Sequence, residues 1–160
     1  MGFPISGIGK VLADLLDKTI RDPEQVARTL RTEVIGSLPL LKGRLGYRKI
    51  GAPDNEKDTS GFGESVRTLR NSILLASFER RYRSLLVTSA APSEGKTTTA
   101  ANLAAAHAEQ GLRTLLIDGD LRRPSVHRNF NISSAVGLSN VLLGEIGWHE
   151  AIQSIEGVPD

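Results

Sequence analysis

Apolar residues recur at helical spacing in the middle of the chain, over residues 61–79. The positions that fall on one stripe are Phe62, Val66, Leu69 and Ile73. This period predicts an amphipathic helix that buries the stripe and leaves Glu64, Arg67 and Arg70 on the other side. On the pattern alone, these three charges form an ion-paired face in solvent.

The N-terminal part of the chain predicts two helices and a short strand. Residues 9–20 have apolar positions at helical spacing, which indicates a small packing helix. Asp22-Pro-Glu-Gln25 carries the capping residues of a second helix, expected to end near residue 31. Residues 33–38 indicate a strand that ends before a proline.

Residues 84–117 combine two apolar runs with an alanine-rich segment. The run at 84–89 indicates a short apolar strand. The run at 114–117 shows little alternation, as expected of a parallel strand covered on both faces. Between them, residues 96–110 predict a helix that stops at Gly111, which suits a left-handed cap. Because strand, helix and strand imply a right-handed crossover, we expect an α/β fold. We expect three layers, αβα, with a mostly parallel sheet, and the loop between the first run and this helix indicates the P-loop NTPase type.

The turn between the first run and this helix has the sequence of a phosphate-binding loop. Residues 90–97 give A-x-x-x-x-G-K-T, with alanine where the usual pattern has its first glycine. Gly95 allows close backbone approach, and the N–H groups of the loop and helix start attract anions. Lys96 can reach the β- and γ-phosphates, and the Thr97 hydroxyl can ligate Mg²⁺. The residues expected to bind the nucleotide are Ala91, Pro92, Ser93, Glu94, Gly95, Lys96, Thr97 and Thr98.

Two acids, Asp118 and Asp120, follow the second apolar run. Ligands of open α/β folds bind at the carboxyl ends of the strands, so both acids should lie beside the phosphate loop. They can hold Mg²⁺ or accept a hydroxyl proton, and the sequence does not distinguish which is the base. We therefore expect ATP and Mg²⁺ as cofactors, Lys96 and both aspartates in catalysis, and Thr97 and both aspartates at the metal.

Composition narrows the function classes. The chain has 160 residues and a net charge of +2, so its overall charge does not argue for a nucleic-acid partner. It has no cysteine, which excludes a disulfide framework and a thiolate zinc site. No apolar run approaches the roughly 18 residues that span a bilayer.

The pattern predicts three parts. Residues 1–41 form a helical segment with a short strand, residues 42–60 a glycine-rich linker, and residues 61–160 the N-terminal part of a P-loop domain. A second acid-terminated strand, the Walker B, is not recognisable after residue 144. We therefore expect a sheet that is incomplete at the C-terminus, in a fragment of a larger enzyme.

Four segments resemble the bacterial tyrosine kinases of exopolysaccharide and capsule assembly. They read E-S-V-R-T-L-R (64–70), A-P-S-E-G-K-T (91–97), L-L-I-D-G-D-L-R-R-P (115–124) and G-L-S-N-V-L-L-G (137–144). The resemblance covers residues 61–144 strongly. Residues 3–40 more weakly resemble the family's segment between its last transmembrane helix and the kinase. In that family, the cytoplasmic kinase domain often follows a polysaccharide co-polymerase membrane domain on the same chain.

The resemblance implies an autokinase that regulates polysaccharide polymerisation and export at the cytoplasmic face of the bacterial inner membrane. It implies that Asp118 and Asp120 help hold the metal and activate the attacking tyrosine hydroxyl. It also implies that Glu64, Arg67 and Arg70 contact the neighbouring subunit in a ring-shaped homo-oligomer. The family's Walker B strand and tyrosine-rich tail have no counterpart in this sequence, so this piece alone is expected to be inactive.

Two other functions fit the residues. One is a partitioning-type ATPase, although those relatives carry a signature lysine at the loop position that Ala91 occupies here. The other is a non-catalytic regulatory module that binds ATP and controls polysaccharide export by assembling and disassembling. A third acidic strand and clustered tyrosines would favour the kinase over this module.

Overall fold

The computed structural model describes residues 23–40, 60–78 and 82–155. The chain divides into two units, residues 1–37 and residues 38–160. In the first unit, helix α1 spans Pro23–Leu30, which confirms the helix predicted after Asp22. The predicted helix at 9–20 lies outside the described residues, as does the predicted linker at 42–60 apart from its last residue.

The second unit is organised around two helices that pack together, α2 (Ser60–Ala76) and α3 (Lys96–Ala108). Phe62 and Val66, from the predicted apolar stripe, form a buried cluster with Ala106, and Leu38 packs against it. Small side chains on α3 allow this close approach. The buried residues of α3 are Ala101, Leu103, Ala105, Ala106 and Ala108.

Arg70 departs from the predicted helix face. It is 7% exposed, and its Nη1 donates a hydrogen bond of 2.9 Å to the Ala106 carbonyl oxygen. At 100° per residue, Arg70 lies only about 40° from Val66, so it borders the apolar stripe. Its long side chain turns towards α3, and the prediction that it faces away from the core is wrong.

Three shorter helical segments follow α3. Helix α4 spans Val126–Phe130 and α5 spans Leu138–Leu142, followed by a 3₁₀ turn at Trp148–Ala151. Helix α5 lies within residues 137–144, one of the four segments that carry the family resemblance. Gly111 has φ +74°, so the left-handed glycine after α3 is confirmed.

The predicted strands do not pair into a sheet among the described residues. Residues 33–38, 84–89 and 114–117 have neither helix nor strand ladder. Leu86 is 88% exposed and Ile117 is 60% exposed. Aliphatic runs of this kind are buried on both faces in parallel sheets, so here they lack their packing partners.

Across the described ranges, we find no helix that combines the length and the apolar character needed to cross a membrane.

Candidate nucleotide site

The loop before α3 has the strained backbone that a phosphate-binding turn requires. Ser93 has φ +65° and Gly95 has φ +88°, both in the left-handed region. Glycine adopts that conformation without a steric penalty, whereas Ser93 does so at a cost that the rest of the loop must offset. The Glu94 carboxylate accepts a hydrogen bond from the Ala91 N–H at 2.9 Å and so closes the turn.

The N-terminus of α3 faces this loop without a side-chain cap. The helix begins at Lys96, and Gly95, which has no side chain, is its N-cap. The Thr99 N–H is the first to bond within the helix, to the Gly95 carbonyl oxygen at 2.8 Å. The preceding amides are therefore available to an anion, and the helix dipole adds positive potential at this end.

A cavity of about 210 Å³ lies against this helix start. Its lining residues are Ser93, Gly95, Lys96, Thr97, Thr98 and Ser125. Five of the six belong to the nucleotide-binding set predicted from the sequence. The other predicted members, Ala91, Pro92 and Glu94, lie in the loop but do not line the cavity.

Lys96 links the phosphate loop to the second acidic segment. Its Nζ lies 3.0 Å from Asp120 Oδ2, and both side chains are about a third exposed. The pKa of Asp120 is lowered, first by the Arg123 N–H, which donates to Oδ1 at 3.0 Å, and then by Lys96. Asp120 is therefore an ionised carboxylate beside the lysine that the sequence assigns to phosphate.

Asp118 has a different environment, because its carboxylate accepts three backbone hydrogen bonds. The Asp120 N–H donates to Oδ1 at 3.1 Å. The N–H groups of Ser125 and Val126 donate to Oδ2 at 2.9 and 3.0 Å. Asp118 thus ties the loop that follows it to the start of α4.

The side chains at this site suit a magnesium ion. Thr97 offers a hydroxyl at the cavity and Asp120 an ionised carboxylate next to it. Mg²⁺ is usually held by one or two such oxygen ligands together with substrate phosphates and water. Within the described ranges, no three acidic or histidine side chains converge on one point.

The three residues predicted to contact a neighbouring subunit do not share one surface. Arg67 Nη1 lies 3.6 Å from Glu64 Oε2, and the side chains of Arg67 and Glu64 are 36% and 73% exposed, respectively. Arg70, in contrast, is buried and bonded to α3. Glu64 and Arg67 are accessible to a partner, whereas Arg70 serves the interior of this unit.

Ser125 is the cavity residue that the sequence did not indicate. It lies 29 positions after Lys96, outside every motif, and Asp118 brings it to the site through its backbone. The proline–serine pair before a short helix is a possible N-cap signal, but that signal predicts a structural serine. Its position at the cavity follows from tertiary structure.

Comparisons with known proteins agree with this geometry. A family model described as the CobQ/CobB/MinD/ParA nucleotide binding domain matches residues 85–154. The tyrosine-protein kinase YwqD of Bacillus subtilis is 50% identical over 91 residues, 57% of this chain and 38% of that protein. The putative tyrosine-protein kinase CapB of Staphylococcus aureus is 34% identical over 99 residues, 62% of this chain and 43% of that protein.

Over part of its length, the chain is similar to bacterial tyrosine kinases. The family model describes a nucleotide binding domain shared with MinD and ParA, and both of these relatives are named tyrosine-protein kinases. The resemblance stated from the sequence motifs is thereby confirmed. Ala91, in place of the signature lysine of the partitioning ATPases, agrees with this result.

The fold comparison leads to the same family. The kinase domain of the Escherichia coli tyrosine kinase ETK matches with a TM-score of 0.73 and 32% identity, over 87% of this chain and 57% of that domain. The chimerical protein CapA2B2 matches with a TM-score of 0.63 and 33% identity, over 86% of this chain and 57% of that one. The α/β P-loop fold class is thereby supported, and the chain spans less than half the length of YwqD and CapB.

Proposed function

We propose that this chain is the ATP-binding part of a bacterial protein-tyrosine autokinase, which phosphorylates tyrosines on copies of the same protein. The observation that carries the proposal is the cavity at the N-terminus of α3, where Lys96 meets the ionised Asp120. A lysine, free helix amides and an acid in one place suit a bound polyphosphate.

Each element of the site has a role in this function. The amides at the start of α3 donate to phosphate oxygens, and Gly95 keeps the backbone open to them. Lys96 exchanges its contact with Asp120 for the β- and γ-phosphates, where it offsets developing negative charge. Asp120 is then released to hold the metal or to accept the proton of the attacking tyrosine hydroxyl.

The metal site would use Thr97 and Asp120, together with the phosphates. A bound Mg²⁺ neutralises the charge that builds on the transferring phosphoryl group. Thr97 faces the cavity from the first turn of α3, so its hydroxyl can reach an ion bound to the phosphates. Catalysis then depends chiefly on positioning and on charge complementarity.

The exposed aliphatic runs support a larger enzyme around this site. We assign residues 84–89 and 114–117 to central parallel strands of a three-layer αβα domain, because the exposure of Leu86 and Ile117 is unusual for such runs. The remaining strands would cover them and supply a Walker B acid. This assignment is consistent with the fold match to the ETK kinase domain.

The complete protein would act in exopolysaccharide or capsule polymerisation and export. Its proposed location is the cytoplasmic face of the inner membrane, beside a polysaccharide co-polymerase domain on the same or a partner chain. Its proposed assembly is a homo-oligomeric ring, with α2 at the contact. Glu64 and Arg67 are the accessible charges on that helix.

Calorimetry with the full chain tests the nucleotide site. Wild type should bind ATP in the presence of Mg²⁺, and Lys96→Ala or Lys96→Met should remove most of that affinity while leaving the circular dichroism spectrum unchanged. The matched control is Lys18→Ala, which removes one lysine outside the motif. Unchanged ATP affinity in a folded Lys96 variant would show that the cavity does not bind nucleotide in this way.

Autophosphorylation tests the kinase assignment. The assay uses the complete coding sequence, including any residues beyond this chain, with radiolabelled ATP and detection of phosphotyrosine. Phosphotyrosine that disappears in Lys96→Met supports the kinase. ATP binding without any phosphotyrosine would instead favour the regulatory module.

A further inference from the structure

We infer that Ser125 is a further nucleotide-binding residue, whose hydroxyl donates to a phosphate oxygen, and that Asp118 is the residue that positions it. The inference rests on the proposed ATP site and deepens it. It assigns different roles to the two aspartates that the sequence could not separate.

Asp118 replaces Ser125 as the N-terminal cap of α4. A serine at the N-cap normally accepts a hydrogen bond from a backbone N–H one turn into the helix. Ser125 occupies the N-cap of α4 but makes no such side-chain bond. Instead, Oδ2 of Asp118, seven residues earlier, accepts the N–H groups of Ser125 and Val126.

Capping by Asp118 leaves the Ser125 hydroxyl free for another partner. Ser125 is one of the residues that line the cavity, together with Lys96, Thr97 and Thr98. A hydroxyl donates one hydrogen bond, and a phosphate oxygen is the acceptor that this cavity is built to receive. Such a charge-assisted bond is shorter and stronger than one between neutral groups.

The same contacts limit what Asp118 can do in catalysis. Three backbone N–H groups already share its two oxygens, whereas Asp120 pairs with a lysine that phosphate can draw away. Metal binding by Asp118 would compete with the bonds that hold the loop in place. Asp120 is therefore the acid that responds to Mg²⁺, and Asp118 is a positioning residue.

Titration calorimetry of the full chain with ATP, and separately with inorganic pyrophosphate, tests the Ser125 contact. Ser125→Ala should lower the affinity for both ligands about tenfold, the scale of one hydrogen bond to a charged group. Ser125→Thr keeps the hydroxyl and should bind within about threefold of wild type by the same reasoning. Ser139→Ala, on α5, is the matched control and should bind as wild type does.

A double-mutant cycle tests the role of Asp118. Asp118→Asn should weaken ATP binding, because an amide nitrogen would face backbone donors and release the start of α4. If Asp118 acts through Ser125, the double variant Asp118→Asn with Ser125→Ala should bind no more weakly than the weaker single variant. If the fold-losses in ATP affinity of the two single variants multiply in the double variant, the two residues act separately and the coupling is overturned.

Magnesium dependence separates the two aspartates. The ratio of ATP affinity with Mg²⁺ to that in EDTA should be unchanged in Asp118→Asn, whereas Asp120→Asn should reduce it. A ratio reduced equally by both substitutions would overturn the assignment of Asp118 to positioning.

The outcomes also distinguish this inference from the proposed function. If wild type binds neither ATP nor pyrophosphate, the proposed function and the Ser125 inference are both refuted. If wild type binds ATP, Lys96→Ala abolishes binding and Ser125→Ala changes nothing, the nucleotide site stands and the Ser125 contact is refuted.

Discussion

The guanidinium of Arg70 donates a hydrogen bond to the main-chain oxygen of Ala106, 2.9 Å away on the neighbouring helix. Ala106 lies in the last turn of α3, where carbonyl groups have no partner within the helix. The turn that follows satisfies the carbonyls of Ala105, His107 and Ala108 through residues 109–112. Arg70, on α2, therefore caps the Ala106 carbonyl, which the turn does not satisfy.

This cap predicts that Arg70 contributes to stability. Arg70→Ala would leave a buried carbonyl without its charged donor and would remove packed methylene groups, so we expect a loss of about 2 kcal/mol in the free energy of unfolding. Urea denaturation of the full chain measures this loss. Arg67→Ala, one turn earlier and partly exposed, is the control and should change stability by less than about 0.5 kcal/mol. Equal effects of the two substitutions would contradict the cap.

His107 predicts a pH dependence at the same helix end. Burial, and secondarily the positive charge of Arg70, lower the pKa of His107 below its ordinary value of 6.5. Below about pH 6.5 the unfolded chain binds a proton that the folded chain resists, so stability should fall as pH decreases through that region. Denaturation midpoints from pH 7.5 to 5 test this.

His107→Gln provides the comparison, since it removes the titrating group. Its stability should depend less on pH over the same range than that of wild type. His149 is exposed and lies outside α3, and His149→Gln is the comparison variant for the loss of a histidine elsewhere. A wild-type stability that stays constant or rises on acidification would refute the prediction.

Local patterns in the sequence predicted α2, α3 and the phosphate loop. The period of Phe62 and Val66 placed the buried face of α2, and Gly95-Lys96-Thr97 placed the loop and the start of α3. These features depend on residues that are close together in the sequence, so local patterns are enough to predict them.

Features that depend on contacts between distant residues were not predicted. Arg70 was placed on the solvent side because helical periodicity gives only the direction of the Cβ atom, not the reach of a long side chain. Ser125 was missed because a carboxylate seven residues earlier positions it. The runs at 84–89 and 114–117 have strand composition, but composition alone does not supply the strands that must pair with them.

We expect the substitution Asp120→Asn to reduce phosphoryl transfer without unfolding the protein. Asp120→Asn removes the charge that pairs with Lys96 and can hold Mg²⁺, while both side chains are already about a third exposed. Phosphoryl transfer by the complete protein should fall by about 10², the scale of a positioned acid–base group. The melting temperature of the full chain should change little. Full autophosphorylation by Asp120→Asn would show that this acid is not part of the chemistry.

The last prediction concerns the Glu64–Arg67 pair on α2. An exposed ion pair of this kind contributes little to the stability of one chain, so Glu64→Ala with Arg67→Ala should leave the urea midpoint nearly unchanged. In a ring the pair would be buried against the next subunit, where the loss of a charged partner costs far more. Arg70 is excluded from this test because its substitution is expected to destabilise the helix packing itself.

Sedimentation velocity of the complete protein measures the effect. Because a closed ring repeats one heterologous contact at every subunit, a weakened contact affects all interfaces together. Wild type should sediment as a ring and the double variant as monomers at the same concentration, with ATP binding retained and phosphorylation between subunits reduced. Identical oligomer distributions for the two proteins would mean that these charges form only a solvent-exposed face, as the helical pattern alone suggested.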